Sequence, residues 1–318
     1  MRPDPLPMRH ARTLRRLLAA AATAFALASP AAMAQTPGSL DPRPLPALAN
    51  PDDPALPAKE LFGRAAEPAP LEARALGSYA GGCLAGAMAL PVDGPGWRVM
   101  RLSRNRNWGH PDLVALLERL AAATPQAVGW PGLLVGDLSQ PRGGPMIWGH
   151  ASHQIGLDAD VWLTPMPERG VSPAERETMM ATSVVRPDRR DVDPEIWTPA
   201  HARLVALAAR EPRVERIFVN AAIKRALCRD TTGDRSWLSK VRPMWGHDYH
   251  MHVRITCPPG QAGCEPQAAV PPGDGCDATL DWWFSDEVLN PAPSSGGGRR
   301  EKTLADLPDA CRRVLVAR

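Results

Sequence analysis

Three common hydrolytic signatures are missing from this 318-residue chain: it has no SxxK, no GxSxG and no HExxH. Their absence leaves no support for serine acyl-enzyme chemistry or for the helix-borne zinc site of thermolysin-type enzymes. No CxxC pair occurs, which counts against a structural site closed by thiolates. No internal repeat is evident. The longest apolar run, residues 17–28, is too short to span a membrane. Phe and Tyr are scarce, four and two against ten Trp, so Trp97, Trp108, Trp130 and Trp148 become candidates for the core or for a groove wall.

What is present begins with an export signal. Arg9, Arg12, Arg15 and Arg16 form a basic segment ahead of the apolar run, and Ala32-Met33-Ala34 is a small-x-small cleavage site. Residues 1–34 therefore read as a cleaved signal peptide, with the mature chain starting at Gln35 and residing in the periplasm. Those 34 residues hold five Arg and one Asp, a net of +4, against +3 for the whole chain, so the mature protein is near −1. No strongly cationic surface remains to suggest a nucleic acid or an anionic membrane as partner. All six cysteines (Cys83, Cys228, Cys257, Cys264, Cys276 and Cys311) lie beyond the signal. An even count in an oxidising compartment points to disulfides, among fifteen possible pairings.

The mature chain divides by composition. Residues 35–65 read as a Pro-rich arm or linker, 66–290 as one domain, 291–300 as a flexible Ser/Gly connector and 301–318 as a C-terminal tail with a short helix. Within the domain, residues 111–123 place Leu113, Leu116, Leu117 and Leu120 at helical spacing, and residues 199–210 do the same with Leu204, Leu207 and Ala208. Residues 133–137, 157–163, 214–219 and 249–256 read as strands, Asn220 as a turn and 222–228 as a short helix. Short strands and helices in no repeating βαβ order predict an α+β fold.

Five of the eight histidines fall in two clusters, GHASH at 149–153 and HDYHMH at 247–252. On a strand His250 and His252 share a face, as do Asp158 and Asp160. An HxH pair alone is a weak signal, and Asp158 alone could cap a loop. Together, His153, Asp160 and His252 supply two imidazoles and one carboxylate. Three protein ligands with an open fourth position are the donor set of catalytic zinc. Asp158 would orient a ligand, and Gly156 lets the loop between His153 and the strand turn back. A metal-activated water needs a base beside it, and His250 is placed for that by strand alternation, with His247 as a supporting group. His110, just before a Pro-initiated helix, reads as structural support or a pocket wall.

The segments GHASHQIGLDADVW and VRPMWGHDYHMHVRI, with GGCLAGAMALP, NWGHPDL and IFVNAAIK, resemble penicillin-insensitive murein endopeptidases. These belong to a wider group of lysostaphin-type, D-Ala-D-Ala-peptidase and sonic-hedgehog-like zinc proteins. The resemblance runs from about residue 76 to 276 and more loosely to 311. It implies a small antiparallel sheet with flanking helices and long disulfide-tied loops. It implies Zn2+ on His153, Asp160 and His252, and His250 as base with His247 beside it. It also implies disulfides Cys83–Cys311, Cys228–Cys276 and Cys257–Cys264. A second metal can sit in the family on His150 and a downstream pair, here Asp188 and Asp191, although relatives can carry His where this chain has Asp191. The rival reading of that segment is a solvated loop paired with Arg189 and Arg190. The implied activity is hydrolysis of D-alanyl–meso-diaminopimelyl cross-links in peptidoglycan. The alternatives are a D-alanyl carboxypeptidase on the same scaffold and a non-catalytic metal- or wall-binding protein.

Overall fold

The computed structural model describes residues 36–291 and 300–318. The expected signal peptide and most of the connector lie outside the described residues. The described chain forms strands β1 (Arg74–Ser78), β2 (Gly81–Ala85), β3 (Met88–Ala89), β4 (Asp93–Gly94), β5 (Trp97–Val99), β6 (Trp108–Gly109), β7 (Leu133–Val135), β8 (Asp158–Trp162), β9 (Val214–Val219), β10 (Val241–Pro243) and β11 (His250–Ile255). Its α-helices are α1 (Ala58–Phe62), α2 (Pro111–Ala127), α3 (Pro173–Thr178), α4 (Pro199–Arg210), α5 (Ala221–Asp230), α6 (Ala278–Asp281), α7 (Asp286–Leu289) and α8 (Ala310–Val316). The protein is α+β.

The main sheet runs β10-β9-β11-β8-β7-β5-β4, with β1–β2 and β3–β6 as separate two-stranded sheets. Its centre is antiparallel: β11 lies between β8 and β9, and β8 pairs with β7. The flanking pairs β5–β7 and β9–β10 are parallel. Parallel neighbours need a crossover, and α2 and α5 supply one each. Two isolated crossovers of this kind leave no repeating βαβ pattern in the sequence.

Local chemistry explains the helix starts. His110 caps α2, its Nδ1 accepting from the Asp112 amide at 3.2 Å, with Pro111 in the first turn. That is a structural role. Asn220, expected as a turn, is the N-cap of α5 and accepts from the Ala222 amide at 3.0 Å. Leu113, Leu116, Leu117 and Leu120 of α2 and Leu204 and Val205 of α4 are buried in one core with Ala159, Val161, Met251 and Val253 of β8 and β11. A second, smaller core joins Ala58 and Phe62 of α1 to Leu76, Cys83, Leu307, Cys311 and Val314. The end of the Pro-rich segment is therefore packed. Trp97 and Trp130 are core residues, whereas Trp148 is exposed beneath the guanidinium of Arg106, 4.0 Å from its ring. Among the described residues, no helix is long and apolar enough to cross a membrane.

Three disulfides tie the loops: Cys83–Cys311, Cys228–Cys276 and Cys257–Cys264. The first spans 228 residues and joins the tail to β2. In the chain-entropy picture a loop that long restricts the unfolded state by about 5 kcal/mol. We predict that the double substitution Cys83→Ser/Cys311→Ser costs at least about 2 kcal/mol, read as a fall in the urea midpoint.

Lys224, the last residue of IFVNAAIK, is buried on α5, its Nζ donating to the carbonyls of Leu238 at 2.8 Å and Asp274 at 2.5 Å. Burial, reinforced by the Arg242 charge, pushes its pKa down to about 7 from 10.5. Between those values the unfolded chain binds a proton that the folded protein lacks, so stability rises with pH. The expected slope is at most about 1.4 kcal/mol per pH unit, and Lys224→Met removes it. Chemical denaturation at pH 7, 8.5 and 10 tests this; parallel curves for the two proteins would refute it.

Candidate metal centre

The centre forms where β8 and β11 run side by side. Their register sets His252 opposite Asp160, Arg254 opposite Asp158 and His250 opposite Trp162. Alternation along each strand puts Asp158, Asp160, His250, His252 and Arg254 on one face and the apolar core residues on the other. His153 reaches this face from the preceding loop. Its backbone is left-handed, at φ +66°, and Gly156 at φ +70° completes the return into β8. A Cβ on Gly156 would lie 2.4 Å from Leu84 Cδ2 and 2.9 Å from the His110 amide nitrogen. No other residue type fits without displacing the loop.

Three donor atoms converge. His153 Nε2 lies 3.1 Å from His252 Nδ1 and 3.5 Å from Asp160 Oδ1, and His252 Nδ1 lies 3.2 Å from Asp160 Oδ1. A tetrahedral ion with bonds of ~2.0–2.1 Å separates its ligand atoms by about 3.3 Å, so the trio matches three corners of such a site. Asp160 Oδ1 is buried with no hydrogen-bond partner in the protein. A buried carboxylate oxygen is costly unless something positive meets it, and a cation between these atoms is what the site is built to receive. His150 Nε2 lies 3.6 Å from Asp160 Oδ2, so His150, His153 and Asp160 form an overlapping trio with ligand atoms within 4.8 Å of one another.

Neighbouring charges orient these groups. Asp158 accepts two bonds from Arg254, at 2.7 and 3.0 Å, and one from the His153 amide at 3.0 Å. It also lies 3.2 Å from His252 Nε2. Burial works against both ionised carboxylates. The His252 and Arg254 charges nevertheless hold Asp158 well below its ordinary range, and His250, His153 and His150 do the same for Asp160. Burial likewise opposes the charged form of His252, but Asp158 and Asp160 overcome it and raise that imidazole to about 9. Burial lowers His153 to about 4 and also lowers His250.

His250 is buried with Nε2 at 3.6 Å from Asp160 Oδ1, and its Nδ1 has no hydrogen-bond partner. The His247 ring lies 4.8 Å from it and 5.9 Å from His252. His247 is left-handed at φ +54°, and its Nδ1 donates to the Trp245 carbonyl at 2.7 Å. That bond fixes the tautomer with Nε2 unprotonated. Desolvation, with the charges of His250 and His252, pushes its pKa to about 3.

Asp188 and Asp191 are not brought to His150. Asp188 pairs with Arg186 and Asp191 with Arg229, while His150 Nε2 faces Asp137 Oδ2 at 3.0 Å. Asp137 escaped the sequence reading, which saw only the end of a buried strand. It is a buried carboxylate that also accepts from Arg104 at 3.0 Å and Arg106 at 2.9 Å. Burial would raise its pKa, but the His150 hydrogen bond and the two guanidinium groups hold it well below the ordinary range. Arg254 escaped as well, although its place two residues beyond His252 put it on the same face.

An α+β frame carrying a buried His2Asp donor set, flanked by two further imidazoles and an oriented second carboxylate, defines a metal-dependent hydrolase. The family model described as penicillin-insensitive murein endopeptidase matches residues 75–316. Relatives of that name are 45% identical over 244 residues in Haemophilus influenzae, covering 77% of this chain and 83% of that protein. In Klebsiella pneumoniae the identity is 42% over 243 residues, covering 76% and 86%. In Salmonella newport it is 43% over 249 residues, covering 78% and 88%. The chain belongs to the penicillin-insensitive murein endopeptidase family, and it is a metallopeptidase.

Asp158→Asn tests the orienting charge. We predict a 10–100-fold weaker hold on metal, measured by competition with a chromogenic chelator. An unchanged affinity would mean that Asp158 serves only to neutralise Arg254.

Proposed function

We propose that this chain is a zinc endopeptidase of the cell wall that hydrolyses the amide between D-alanine and meso-diaminopimelate in peptidoglycan cross-links. The observation that carries the reading is the convergence of His153 Nε2, Asp160 Oδ1 and His252 Nδ1 within 3.1–3.5 Å of one another in a chain of this family. Two imidazoles and one carboxylate suit zinc and leave a position for a reactant. One zinc per chain is proposed on this set. His150, held by Asp137, serves to brace Asp160 in this reading, and the charges at Asp188 and Asp191 are already matched by arginines. Bound there, zinc acidifies water and polarises a carbonyl.

The chain's own groups do the rest. Asp160 and Asp158 fix the donors, and the Asp158–Arg254 pair keeps the His252 ring in place. His250 accepts the proton of the attacking water; its lowered pKa keeps it neutral and ready at pH 7. His247, with Nδ1–H committed to Trp245 and its pKa lowered to about 3, keeps Nε2 an acceptor at pH 7, so it suits holding a hydrogen bond beside His250, and His250 once protonated passes its proton to the departing amine. Residues 1–34 are proposed to be removed on export. The remainder would act in the periplasm as one peptidase domain, 66–290, with an N-terminal arm (35–65), a connector (291–300) and a tail (301–318). Three disulfides fit that compartment.

Digestion of purified cross-linked murein by the mature chain, followed by mass spectrometry, tests the reading. Dimers should fall and monomers rise, and a chelator or His252→Ala should abolish both changes. His250→Ala should retain the metal and lose about 10²–10⁴-fold in kcat. Intact dimers in protein shown to contain zinc would sink the endopeptidase reading, and trimming of uncross-linked pentapeptides alone would point to a carboxypeptidase.

A further inference from the structure

Beside the metal centre lies a cavity of about 600 Å³ whose wall includes Gly246 and Asp248, the residues on either side of His247. Asn220, also on the wall, binds that segment twice, donating through its amide to the His247 carbonyl at 2.9 Å and through Nδ2 to the Gly246 carbonyl at 2.9 Å. The cavity wall is thus tied through the backbone to the segment that carries His247. One side is apolar, with Trp245 and Trp283 at 5.6 Å ring separation, Met244 and Leu289. The opposite rim is the loop between Val185 and Val192, closed by the Arg186 amide donating to the Asp191 carbonyl at 3.0 Å.

Charge on this rim is unevenly matched. Arg186 pairs with Asp188 and Arg190 with Asp286. Arg189, at the tip and left-handed at φ +57°, lines the cavity. Among the described residues, the structure gives its guanidinium no ion pair, and it gives the Asp248 carboxylate none across the same space. A cationic and an anionic group, neither in an ion pair among the described residues, thus face one cavity beside the segment that carries His247.

On the reading proposed above, the cross-link supplies the complement. The acylated nitrogen of the diaminopimelyl residue sits on a carbon that also carries a free carboxylate. Hydrolysis breaks the amide C–N bond and forms a C–O bond to the water oxygen. The D-alanyl half leaves as a carboxylate, and the freed nitrogen takes up a proton to become an ammonium. One carbon therefore presents a carboxylate throughout and an ammonium after cleavage, next to a methylene chain. We propose that this cavity is the subsite for the diaminopimelyl side of the cross-link, with Arg189 binding its free carboxylate, Asp248 receiving the released ammonium and the tryptophan wall covering the methylenes. Arg189 is then a specificity-determining residue. A guanidinium binds a carboxylate through two parallel hydrogen bonds, which an amide in its place cannot accept.

The test compares purified murein dimers whose diaminopimelyl carboxylate is free or amidated. The wild type should favour the free form at least tenfold, chiefly through KM. Arg189→Ala should raise KM for the free form at least tenfold, leave the amidated form almost unchanged and so erase the preference; Arg189→Lys should restore part of it. Arg189 is exposed, so these variants should fold. In parallel, metal-free wild type and Arg189→Ala are titrated with L-alanyl-γ-D-glutamyl-meso-diaminopimelate by tryptophan fluorescence, expecting at least tenfold weaker binding in the variant. Cleavage by the wild type with no change of KM or preference in Arg189→Ala overturns the subsite and leaves the endopeptidase intact. No cleavage of either dimer, with tripeptide binding that still depends on Arg189, defeats the endopeptidase reading and upholds the subsite. Tripeptide binding indifferent to Arg189 overturns the subsite in either case.

Discussion

The β8–β11 register is the constraint on which the site depends. His252 stands opposite Asp160 and Arg254 opposite Asp158, so two neighbouring cross-strand pairs set both the donor geometry and the support beneath it. Side chains alternate with a period of two, so a slip of one residue would turn His250, His252 and Arg254 toward the apolar core and Met251 and Val253 toward the site. The cost of that exchange protects the register. Ala159, Val161, Met251 and Val253 are completely buried under the helices, and three ionisable side chains could not replace two of them. The fold and the metal centre are specified by the same alternation, read from opposite faces of one sheet.

Burial of so much charge needs an electrostatic account. Asp137, Asp158 and Asp160 are all at least 95% hidden from solvent. Asp158 is answered by Arg254, and Asp137 by Arg104, Arg106 and His150. The groups within ion-pair distance of Asp160 are all imidazoles, and its Oδ1 makes no hydrogen bond. Asp160 is thus the buried carboxylate of the three that no arginine pairs with, at the point where a cation belongs. This arrangement keeps metal affinity and structural integrity partly separate, since the arginine-matched carboxylates hold the strands whether or not a metal is bound. It also keeps the imidazoles apart in character: His252, between two carboxylates, is raised, while His153, His247 and His250 are lowered by burial.

The parts of this design that were legible in the sequence are those with a short period. The helix over residues 111–123 extends only four residues further, to Ala127, and residues 214–219 and 250–255 are strands as their patterns suggest. Asp158, Asp160, His250 and His252 were legible because DxD and HxH each mark one face of a strand, and His153 because it stands in the GHASH cluster of the preceding loop. Asp137 had no such mark. It belongs to the site because a third strand lies beside β8, and sheet order is not periodic information. The parallel pairs β5–β7 and β9–β10 were hidden for the same reason, since a strand of three residues carries too little pattern to declare its neighbour. For Asp188 and Asp191 the sequence left two readings open, a second metal or a loop paired with arginines; the arginines paired with them, Arg186 and Arg229, lie 2 and 38 positions away, and only the fold brings the distant one near.

The far end of the chain contributes to the same geometry. His153 and His247 both adopt left-handed backbone conformations, which cost free energy for any residue with a Cβ and persist only where the surroundings impose them. Around His153 those surroundings are the β1–β2 hairpin and the loop packed on it. Gln154 donates its amide to the Tyr79 carbonyl and accepts the Gly82 amide on Oε1, both at 3.2 Å, and the Leu84 amide donates to the Arg142 carbonyl at 3.0 Å. Arg142 in turn donates to the carbonyls of Val314 and Leu315 at the end of α8, and Cys83 on β2 is bonded to Cys311 on the same helix. The tail therefore braces the hairpin that holds His153 in its strained pose. A weakened clamp need not unfold the sheet, because β8 and β11 are secured by their own core. It would instead let the His153 loop relax toward an unstrained conformation and withdraw one donor from the other two. The Cys83–Cys311 bond thus belongs to the metal site as much as to the stability of the fold.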